Sequence, residues 1–370
     1  MKLICSKMNL LKGVNIVSKA VPTRTTMAIL ECILIDASAN EIKLTANDTE
    51  LGIETVIEGE ILEPGIIALD AKIFSEIVRK LPDNEVTIET DSSFKTLITC
   101  EKANFNIIGK SGEDFSYIPY VERKESVTIS QFTLKEVIHQ TIFSIADNDN
   151  NKLMTGELFE INENQLKVVS LDGHRISIRN IELKENYQPK KVVVPGKTLN
   201  EISKIIPGST EEEVNIFITE NHIIFEFDQT TVVSRLIEGE YFRIEQMLSS
   251  DYETKININK RELLDCIDRA TLLITEGDKK PIIMNVTEDF MELKINSFIG
   301  SMNEDIDIEK DGKDIMIGFN PKFFIDALKV IDDEEITLYM VNPKAPCFIK
   351  DAQESYIYLI LPVNFNTSMN

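Results

Sequence analysis

The sequence predicts an α+β protein built from three tandem repeats of about 120 residues each. One segment recurs three times: a short apolar strand, a brief connector and an amphipathic helix. Its copies span residues 66–82, 192–207 and 315–331. They are in register, because Lys72, Lys197 and Lys322 are 125 residues apart in both intervals (197 − 72 and 322 − 197). A β-rich run follows each copy, beginning at Glu85, Glu213 and Glu335.

A second amphipathic helix opens each repeat, with apolar residues at helical spacing. These predicted helices span residues 9–21, 134–146 and 261–274, and strand pairs around residues 42–48, 166–172 and 293–298 follow them. Each repeat therefore has the predicted order helix, strands, helix, strands. The predicted domains are residues 1–121, 122–250 and 251–370, with boundaries in polar, turn-like stretches.

The segment 166–179 of the second repeat predicts a β-hairpin. Its turn is the Asp172-Gly173 step, and Ile176 and Ile178 alternate with polar residues, which is typical of a half-buried strand. Asp172 and His174 raise the alternative of a hydrolase with an acid–base pair. No nucleophile motif, glycine-rich phosphate loop or metal-ligand cluster accompanies them, so the sequence favours a protein without catalytic activity.

The net charge is −23, from 62 acidic and 39 basic residues. Spread evenly, this negative charge argues against a protein that binds nucleic acid through phosphate contacts. Five scattered cysteines without a CxxC pair indicate a reduced, cytoplasmic protein with no disulfide framework and no metal or other cofactor. No apolar run approaches the roughly 20 residues of a membrane span, and the N-terminus does not have the pattern of a signal peptide.

Positive charge is concentrated on the predicted helices. Basic residues seven positions apart share one helix face, two turns apart. The pairs are Lys72 and Arg79, Lys197 and Lys204, Lys322 and Lys329, and Lys12 and Lys19. The apolar residues of the 71–81 helix, namely Ile73, Phe74, Ile77, Val78 and Leu81, are expected on the opposite face. The repetition of the basic pairs argues against an acidic protein-binding scaffold that never contacts DNA, which is the other alternative.

With these repeats, the Asp172–Arg175 turn, the loop from Arg24 to Leu30 and the terminal Ile360-Leu-Pro-Val363, the chain resembles the bacterial DNA polymerase III beta-subunit family, the sliding clamps. The resemblance covers the whole chain. It implies a DNA-clamp fold in which two three-domain chains form a head-to-tail ring. Helices would line the channel around duplex DNA, and antiparallel sheets would form the outer wall. Such a protein is non-catalytic and makes synthesis processive.

The resemblance also implies a DNA-binding set that makes weak, sequence-independent contacts. Retention by encirclement would remove the need for tight phosphate contacts in an acidic protein. The expected DNA-facing residues are Lys12, Lys19, Arg24, Lys72, Arg79, Lys80, Asn148, Lys152, Lys197, Lys204, Lys322 and Lys329.

A pocket between the second and third domains is implied to bind short linear segments of the polymerase alpha subunit, the clamp loader, other polymerases and repair proteins. The matching residues are Met154, Leu171, Gly173, His174, Arg175, Ile176, Phe242, Met247, Asn320, Phe323, Leu359, Ile360, Leu361, Pro362 and Val363. Ring closure is implied to join Phe105 and Ile107 to Leu272 and Leu273.

Some positions depart from the family pattern. Phe242 stands where proline is usual and Gln246 where a basic residue is common, and Ala28 replaces a proline in the Arg24 loop. Asn364 stands where arginine is frequent, and six residues follow it. That tail, residues 365–370, is predicted to be disordered and could lie over or beside the pocket.

Overall fold

The computed structural model of the protein describes residues 1–115, 118–147, 151–248, 251–275 and 280–365. The first repeat contains β1 (Lys2–Ser6), α1 (Lys7–Val17), β2 (Cys32–Asp36), β3 (Ile42–Asn47), β4 (Leu51–Ile57), β5 (Glu60–Glu63), β6 (Ile66–Asp70), α2 (Ala71–Lys80), β7 (Glu85–Thr90), β8 (Lys95–Cys100), β9 (Ala103–Ile108) and β10 (Lys110–Ser111). The second contains β11 (Ser126–Ser130), α3 (Gln131–Thr141), β12 (Gly156–Leu171), β13 (Arg175–Pro195), α4 (Gly196–Ile205), β14 (Glu213–Ile218), β15 (His222–Phe227) and β16 (Thr230–Arg235). The third contains β17 (Thr254–Asn259), α5 (Lys260–Thr271), β18 (Ile282–Val286), β19 (Phe290–Asn296), β20 (Ser301–Asp307), β21 (Glu309–Gly312), β22 (Ile315–Phe319), α6 (Pro321–Val330), β23 (Glu335–Met340), β24 (Cys347–Lys350) and β25 (Tyr356–Ile360).

Each repeat opens with a strand, which the sequence-based prediction of an opening helix missed. Strands β1, β11 and β17 lead directly into α1, α3 and α5. The helices start earlier than predicted because polar caps fix their first turns. Ser6 Oγ accepts the Asn9 N–H at 3.1 Å, and Asn259 Oδ1 accepts the N–H groups of Arg261 and Glu262, each at 3.1 Å.

The chain divides into two compact units, Met1–Lys135 with Lys197–Leu236 and Glu136–Gly196 with Ile237–Asn370. The first unit has a nine-stranded sheet in the order β10-β6-β2-β3-β4-β16-β15-β14-β11 and a five-stranded sheet in the order β5-β1-β7-β8-β9. Its β4 comes from the first repeat and its β16 from the second, and these two strands pair antiparallel with Leu51 opposite Ser234. One sheet therefore runs through two repeats.

The second unit uses the same arrangement for the second and third repeats. Its seven-stranded sheet has the order β12-β13-β25-β24-β23-β17-β21, and its four-stranded sheet the order β20-β19-β18-β22. Strands β13 and β25 pair antiparallel, with Arg175 opposite Ile360. Because two sheets cross the boundaries between repeats, the compact units divide the second repeat.

The predicted hairpin is formed by β12 and β13, but its second strand is not half-buried as predicted. Arg175 and Ser177 are buried as deeply as Ile176 and Ile178. The polar face of β13 lies under α3 and the short turn that follows it. Ser177 Oγ lies 2.5 Å from Ser144 Oγ there. Alternation predicted the two faces of the strand correctly, but both faces are covered.

Arg175 ties this hairpin to the neighbouring elements and is only 7% exposed. Its guanidinium donates to Asp172 Oδ2 at 3.0 Å, to Asp326 Oδ2 at 2.6 Å and to the Phe143 carbonyl oxygen at 2.5 Å. The guanidinium carbon also lies 4.6 Å from the centre of the Phe323 ring. A buried charge needs such a complete set of partners.

A second buried ionisable group lies on β12. Glu157 is fully buried, and within the described ranges no hydrogen-bond donor reaches either carboxylate oxygen. Burial raises the pKa of this carboxyl from its ordinary value of 4.5 to about 8, although the nearby Thr141 hydroxyl acts to lower it. That hydroxyl donates its own hydrogen to the Val137 carbonyl oxygen at 2.7 Å. At neutral pH, Glu157 therefore stays protonated.

We expect Asp326→Ala to destabilise the protein by about 2–4 kcal/mol, because it leaves the Arg175 guanidinium buried without its second carboxylate. The matched control is Glu201→Ala at the equivalent position of α4, where the partner Lys204 is exposed. That change should cost less than about 1 kcal/mol. Urea unfolding followed by circular dichroism measures both, and equal losses would contradict the role given to Arg175.

The titration of Glu157 predicts a pH-dependent stability. Its folded-state pKa lies above the unfolded value, so the folded chain keeps a proton that the unfolded chain releases. The free energy of unfolding should fall by about 1.4 kcal/mol per pH unit between the two pKa values, from roughly pH 4.5 to pH 8, and then level off. Glu157→Gln should remove this slope and raise Tm at pH 8.5 more than at pH 5.5.

The control for this measurement is Glu160→Gln on the same strand, where the carboxylate is partly exposed and pairs with Lys191 at 3.4 Å. This variant should keep the wild-type dependence of Tm on pH. If Glu157→Gln keeps it too, the buried carboxyl does not titrate in this range.

Candidate docking surface and basic helix faces

The residues predicted to bind partner segments all belong to the second unit. Leu171, Ile176, Leu359 and Ile360 are buried, whereas Met247 is 54% and Leu361 37% exposed. Met154, Phe242 and Phe323 are half-buried. We call the accessible apolar set the docking surface: Met154, Phe242, Met247, Phe323 and Leu361.

A compact apolar cluster supports this surface. Leu171, Ile176 and Leu359 pack there with Tyr241, and Met154 and Phe242 lie at its edge. The rings of Tyr241 and Phe242 meet edge to face at 5.6 Å. The Tyr241 hydroxyl donates to the Val169 carbonyl oxygen at 3.3 Å, and burial raises its pKa, so it stays neutral. Tyr241 was not among the predicted site residues, and only its place beside Phe242 in the chain could have indicated it.

The Asp172 turn is built by backbone hydrogen bonds and not as an acid–base pair. Asp172 Oδ1 accepts the N–H groups of His174 at 2.9 Å and Arg175 at 3.1 Å, while Oδ2 accepts from the Arg175 side chain. Gly173 has a φ of +84°, which favours glycine. The His174 ring stacks on Phe323 with centroids 6.1 Å apart. Both carboxylate oxygens of Asp172 therefore hold the turn, one through backbone N–H groups and one through the Arg175 side chain.

The chain after β25 forms one side of the docking surface. The Leu361 N–H donates to the His174 carbonyl oxygen at 2.9 Å, and the Val363 N–H donates to the Gly318 carbonyl oxygen at 2.8 Å. Asn320 Oδ1 accepts the Lys322 N–H at 3.0 Å and so caps α6 beside Phe323. Phe365 lies against Gly318, so the prediction of a disordered tail beginning at residue 365 was wrong at its first residue.

The first unit contains the equivalent backbone framework, but its surface is covered. The Arg235 N–H donates to the Glu50 carbonyl oxygen at 2.9 Å, as Leu361 does to His174. Gly52 takes the place of Ile176, and a Cβ at Gly52 would lie 2.6 Å from Ile118 Cγ1. Residue Ile118, from the segment between the first two repeats, thus occupies that position. Among the described residues both units have this framework, and it is accessible in the second unit.

The predicted DNA-facing cations lie on exposed helix and loop positions. Exposed members are Lys12, Arg24, Lys72, Arg79, Lys80, Lys152, Lys197, Lys204, Lys322 and Lys329. Lys19 is half-buried and lies in a 3₁₀ turn, Ser18–Ala20, which continues directly from the end of α1 at Val17. Asn148 lies outside the described residues.

The charge environment of these cations differs between the repeats. Lys197 pairs with Asp48, and Lys204 pairs with Glu201 at 2.8 Å. In the part of the chain that the structure describes, Lys72, Arg79, Lys322 and Lys329 have no carboxylate partner within ion-pair distance. The apolar face of α2 is narrower than predicted, because Ile73 is 51% exposed. Its side chain lies toward the basic face and not in the core.

The residues predicted for ring closure lie at or near sheet edges. Phe105 and Ile107 lie on β9, the last strand of the five-stranded sheet. Leu272 directly follows α5 and is 77% exposed, while Leu273 packs partly on the core of the second unit. Phe298, which was not predicted, is 96% exposed at the turn before the edge strand β20. The hairpin tip that carries it is equivalent to the Asp172 turn, which was the available signal for it.

Other classes of site are not found among the described residues. No group of three or more histidine, cysteine or carboxylate side chains there has the arrangement of a metal site. All five cysteines are free and buried. None of the described helices is long and apolar enough to cross a membrane.

Three models of the DNA polymerase III beta subunit match the chain: the N-terminal domain at residues 1–119, the central domain at 128–242 and the C-terminal domain at 245–364. The beta sliding clamp of Staphylococcus aureus is 35% identical over 356 residues, which are 93% of this chain and 94% of that protein.

Solved structures give the same result. A crystal structure described as a DNA polymerase III beta subunit from Eubacterium rectale is 83% identical, with 99% of this chain and 100% of that one covered and a TM-score of 0.96. The DNA polymerase sliding clamp of Bacillus subtilis is 33% identical with the same coverage and a TM-score of 0.95. These matches confirm the α+β class and the three clamp repeats. The chain therefore belongs to the DNA polymerase III beta-subunit family, the sliding clamps of DNA replication.

Proposed function

We propose that two copies of this chain close into a ring around duplex DNA and tether the replicative polymerase to it, without catalysing a reaction. The clamp domains are taken as residues 1–121, 122–250 and 251–370. One observation carries the proposal. Strands of consecutive repeats pair twice, β4 with β16 and β13 with β25. In the described residues the equivalent strands β20 and β9 lie at sheet edges, where each lacks this pairing.

Equivalent positions in the three repeats give the expected register between β20 of one copy and β9 of another. The N–H groups of Asp48, Asp172 and Ser297 each donate to the carbonyl oxygen three residues further on, in Leu51, Arg175 and Gly300, which makes those positions equivalent. Strands β9, β16 and β25 can be aligned with one another because a residue with positive φ lies just before each of them, at the same distance. Glu101, Asp228 and Glu354 have φ of 50°, 50° and 53° and precede Ile107, Ser234 and Ile360.

Within the chain, Leu51 faces Ser234 and Arg175 faces Ile360. By equivalence, Gly300 of one copy faces Ile107 of the other, and Met302 faces Phe105. In the described residues, β9 and β20 are both edge strands, each with one side available for pairing. A Cβ at Gly300 would lie 3.8 Å from Leu273 Cδ2, so Leu272 and Leu273 belong to the same proposed interface. Such head-to-tail contacts close into a ring.

DNA binding is proposed for the basic helix faces with Arg24, Lys80 and Lys152. Lys72, Arg79, Lys322 and Lys329, which have no carboxylate partner among the described residues, can contact phosphates directly, whereas Lys197 and Lys204 must first leave Asp48 and Glu201. A chain of net charge −23 binds phosphate weakly as a whole. Weak contacts inside a closed ring are compatible with sliding, because retention comes from the ring.

The docking surface is proposed to hold short linear segments of the polymerase alpha subunit, the clamp loader, other polymerases and repair proteins. Exposed Met247 and Leu361 supply apolar contacts beside the stacked rings of His174 and Phe323. Adaptable methionine and fixed aromatic side chains suit a surface that accepts several related segments. Arg175 contributes by holding the turn, since its guanidinium is occupied.

The proposed register predicts a specific disulfide cross-link. A chain with Ile107→Cys and Gly300→Cys should form covalent dimers on mild oxidation, visible on non-reducing gels. The pair is equivalent to Arg175 and Ile360, which are not hydrogen-bonded to each other, and such pairs have Cα atoms about 4.5 Å apart, within disulfide reach. The native cysteines are buried and should not compete.

The control moves one cysteine by one residue, with Asn106→Cys and Gly300→Cys. That side chain points to the other face of β9, so cross-linking should be largely lost. Equal yields from both variants, or none from either, would rule out the proposed register.

Encirclement predicts that retention depends on DNA topology. Loaded onto nicked circular DNA, the protein should stay bound through gel filtration in 0.5 M salt, where phosphate contacts are strongly weakened. Cutting the circle once with a restriction enzyme should release it. Retention on linear DNA equal to that on the circle would show that the protein binds DNA without enclosing it.

A further inference from the structure

In each of the three repeats the same backbone bridge follows the equivalent strands β9, β16 and β25. Lys110 pairs with Ala68, Ile237 donates its N–H to the Val193 carbonyl oxygen at 2.9 Å, and Val363 donates to Gly318 at 2.8 Å. The second member of each bridge lies three residues before the second helix. The bridge therefore places the chain that leaves β9, β16 or β25 next to the start of the second helix of the same repeat.

Two residues beyond the bridge, the repeats differ in side-chain size. The first two repeats have Gly112 and Gly239, and the third has Phe365. A Cβ at Gly112 would lie 1.6 Å from Ile66 Cγ2, so a larger residue cannot fit in the first repeat as it is built. An aromatic ring in the third repeat requires space from another residue.

Gly318 supplies that space. Its equivalents are Ala68 and Val193, so glycine replaces a larger residue where Phe365 replaces glycine. A Cβ at Gly318 would lie 2.6 Å from Phe365 Cδ1 and 3.0 Å from the Val363 carbonyl oxygen. The ring thus packs directly on the backbone of β22, and the two residues form a size-matched pair in the third repeat.

The pair lies next to the docking surface. Residues Leu361 to Val363 follow the end of β25 and are fixed by two backbone hydrogen bonds, one to His174 and one to Gly318. Pro362, between them, has no N–H to donate.

We propose that Phe365 is a positioning residue for the docking surface: packed on Gly318, it holds the Leu361–Val363 segment in place for partner segments. This rests on the docking role proposed above. Without the ring, Leu361 must be ordered when a partner binds, and the cost of that ordering reduces affinity. Phe365 itself need not touch the partner.

The test uses fluorescence anisotropy with a labelled synthetic peptide that carries the clamp-binding segment of the polymerase alpha subunit. Phe365→Ala in the full-length chain should raise Kd roughly tenfold, about the cost of ordering one residue. Phe365→Leu, which keeps an apolar contact on Gly318, should stay within about threefold of wild type. The double variant His174→Ala with Leu361→Ala should abolish binding and so assigns the probe to the docking surface.

A structural control separates positioning from a general loss of folding. Phe365→Ala should keep the wild-type dimer mass and Tm, while hydrogen exchange of the Val363 amide becomes faster. Gly318→Ala should weaken peptide binding as Phe365→Ala does, and combining them should add little further loss, because both remove one contact.

The possible outcomes distinguish the two proposals. If wild type binds the peptide, the His174/Leu361 double variant does not, and Phe365→Ala binds as tightly as wild type, the positioning role is wrong and the docking role stands. If wild type does not bind the peptide, or the double variant binds it unchanged, the docking surface itself is misassigned.

Discussion

Antiparallel pairing across the repeat boundaries is the constraint on which the rest of the molecule depends. Strands β4 and β16 make one sheet of the first two repeats, and β13 and β25 make one sheet of the last two. Edge strands that would otherwise be open are thereby buried in continuous sheets. The same pairing sets the position of each turn that precedes it, and so determines where the docking surface can form.

The turns at these boundaries have the same backbone and different surroundings. Asp48 pairs with Lys197 of α4, while at Asp172 the turn is held by Arg175, which reaches Asp326 and the Phe143 carbonyl oxygen. At Ser297 the tip carries exposed Phe298. One repeated scaffold therefore yields a closed junction, a junction with an accessible apolar surface, and a tip that exposes Phe298. Differences of a few side chains decide which.

The sequence was sufficient to predict the repeats and their helices, since apolar periodicity and the 125-residue offset are local signals. It failed where burial depends on distant segments. Alternation along β13 could not show that Arg175 and Ser177 are covered by elements around Phe143 and Asp326. Five-residue strands such as β1 carry too few residues for a pattern next to a helix. Phe365 appeared to belong to a polar tail, because the space that accommodates it is created by Gly318, 47 positions earlier (365 − 318). The basic helix pairs came from their seven-residue spacing, and the docking residues and their roles came from family resemblance. The accessibility of both sets could be judged only from the fold.

The edge strands β9 and β20 also differ in charge. Strand β20 carries Glu304, Asp305 and Asp307, whereas β9 has no ionisable side chain. Two β20 strands placed side by side would bring carboxylates of like charge together, which is destabilising in a sheet, and a β9–β20 contact avoids this. The acidic residues of β20 thus disfavour assemblies in which two copies pair through this same edge. They favour the head-to-tail order, in which β20 of one copy meets β9 of the next, and that order closes a ring.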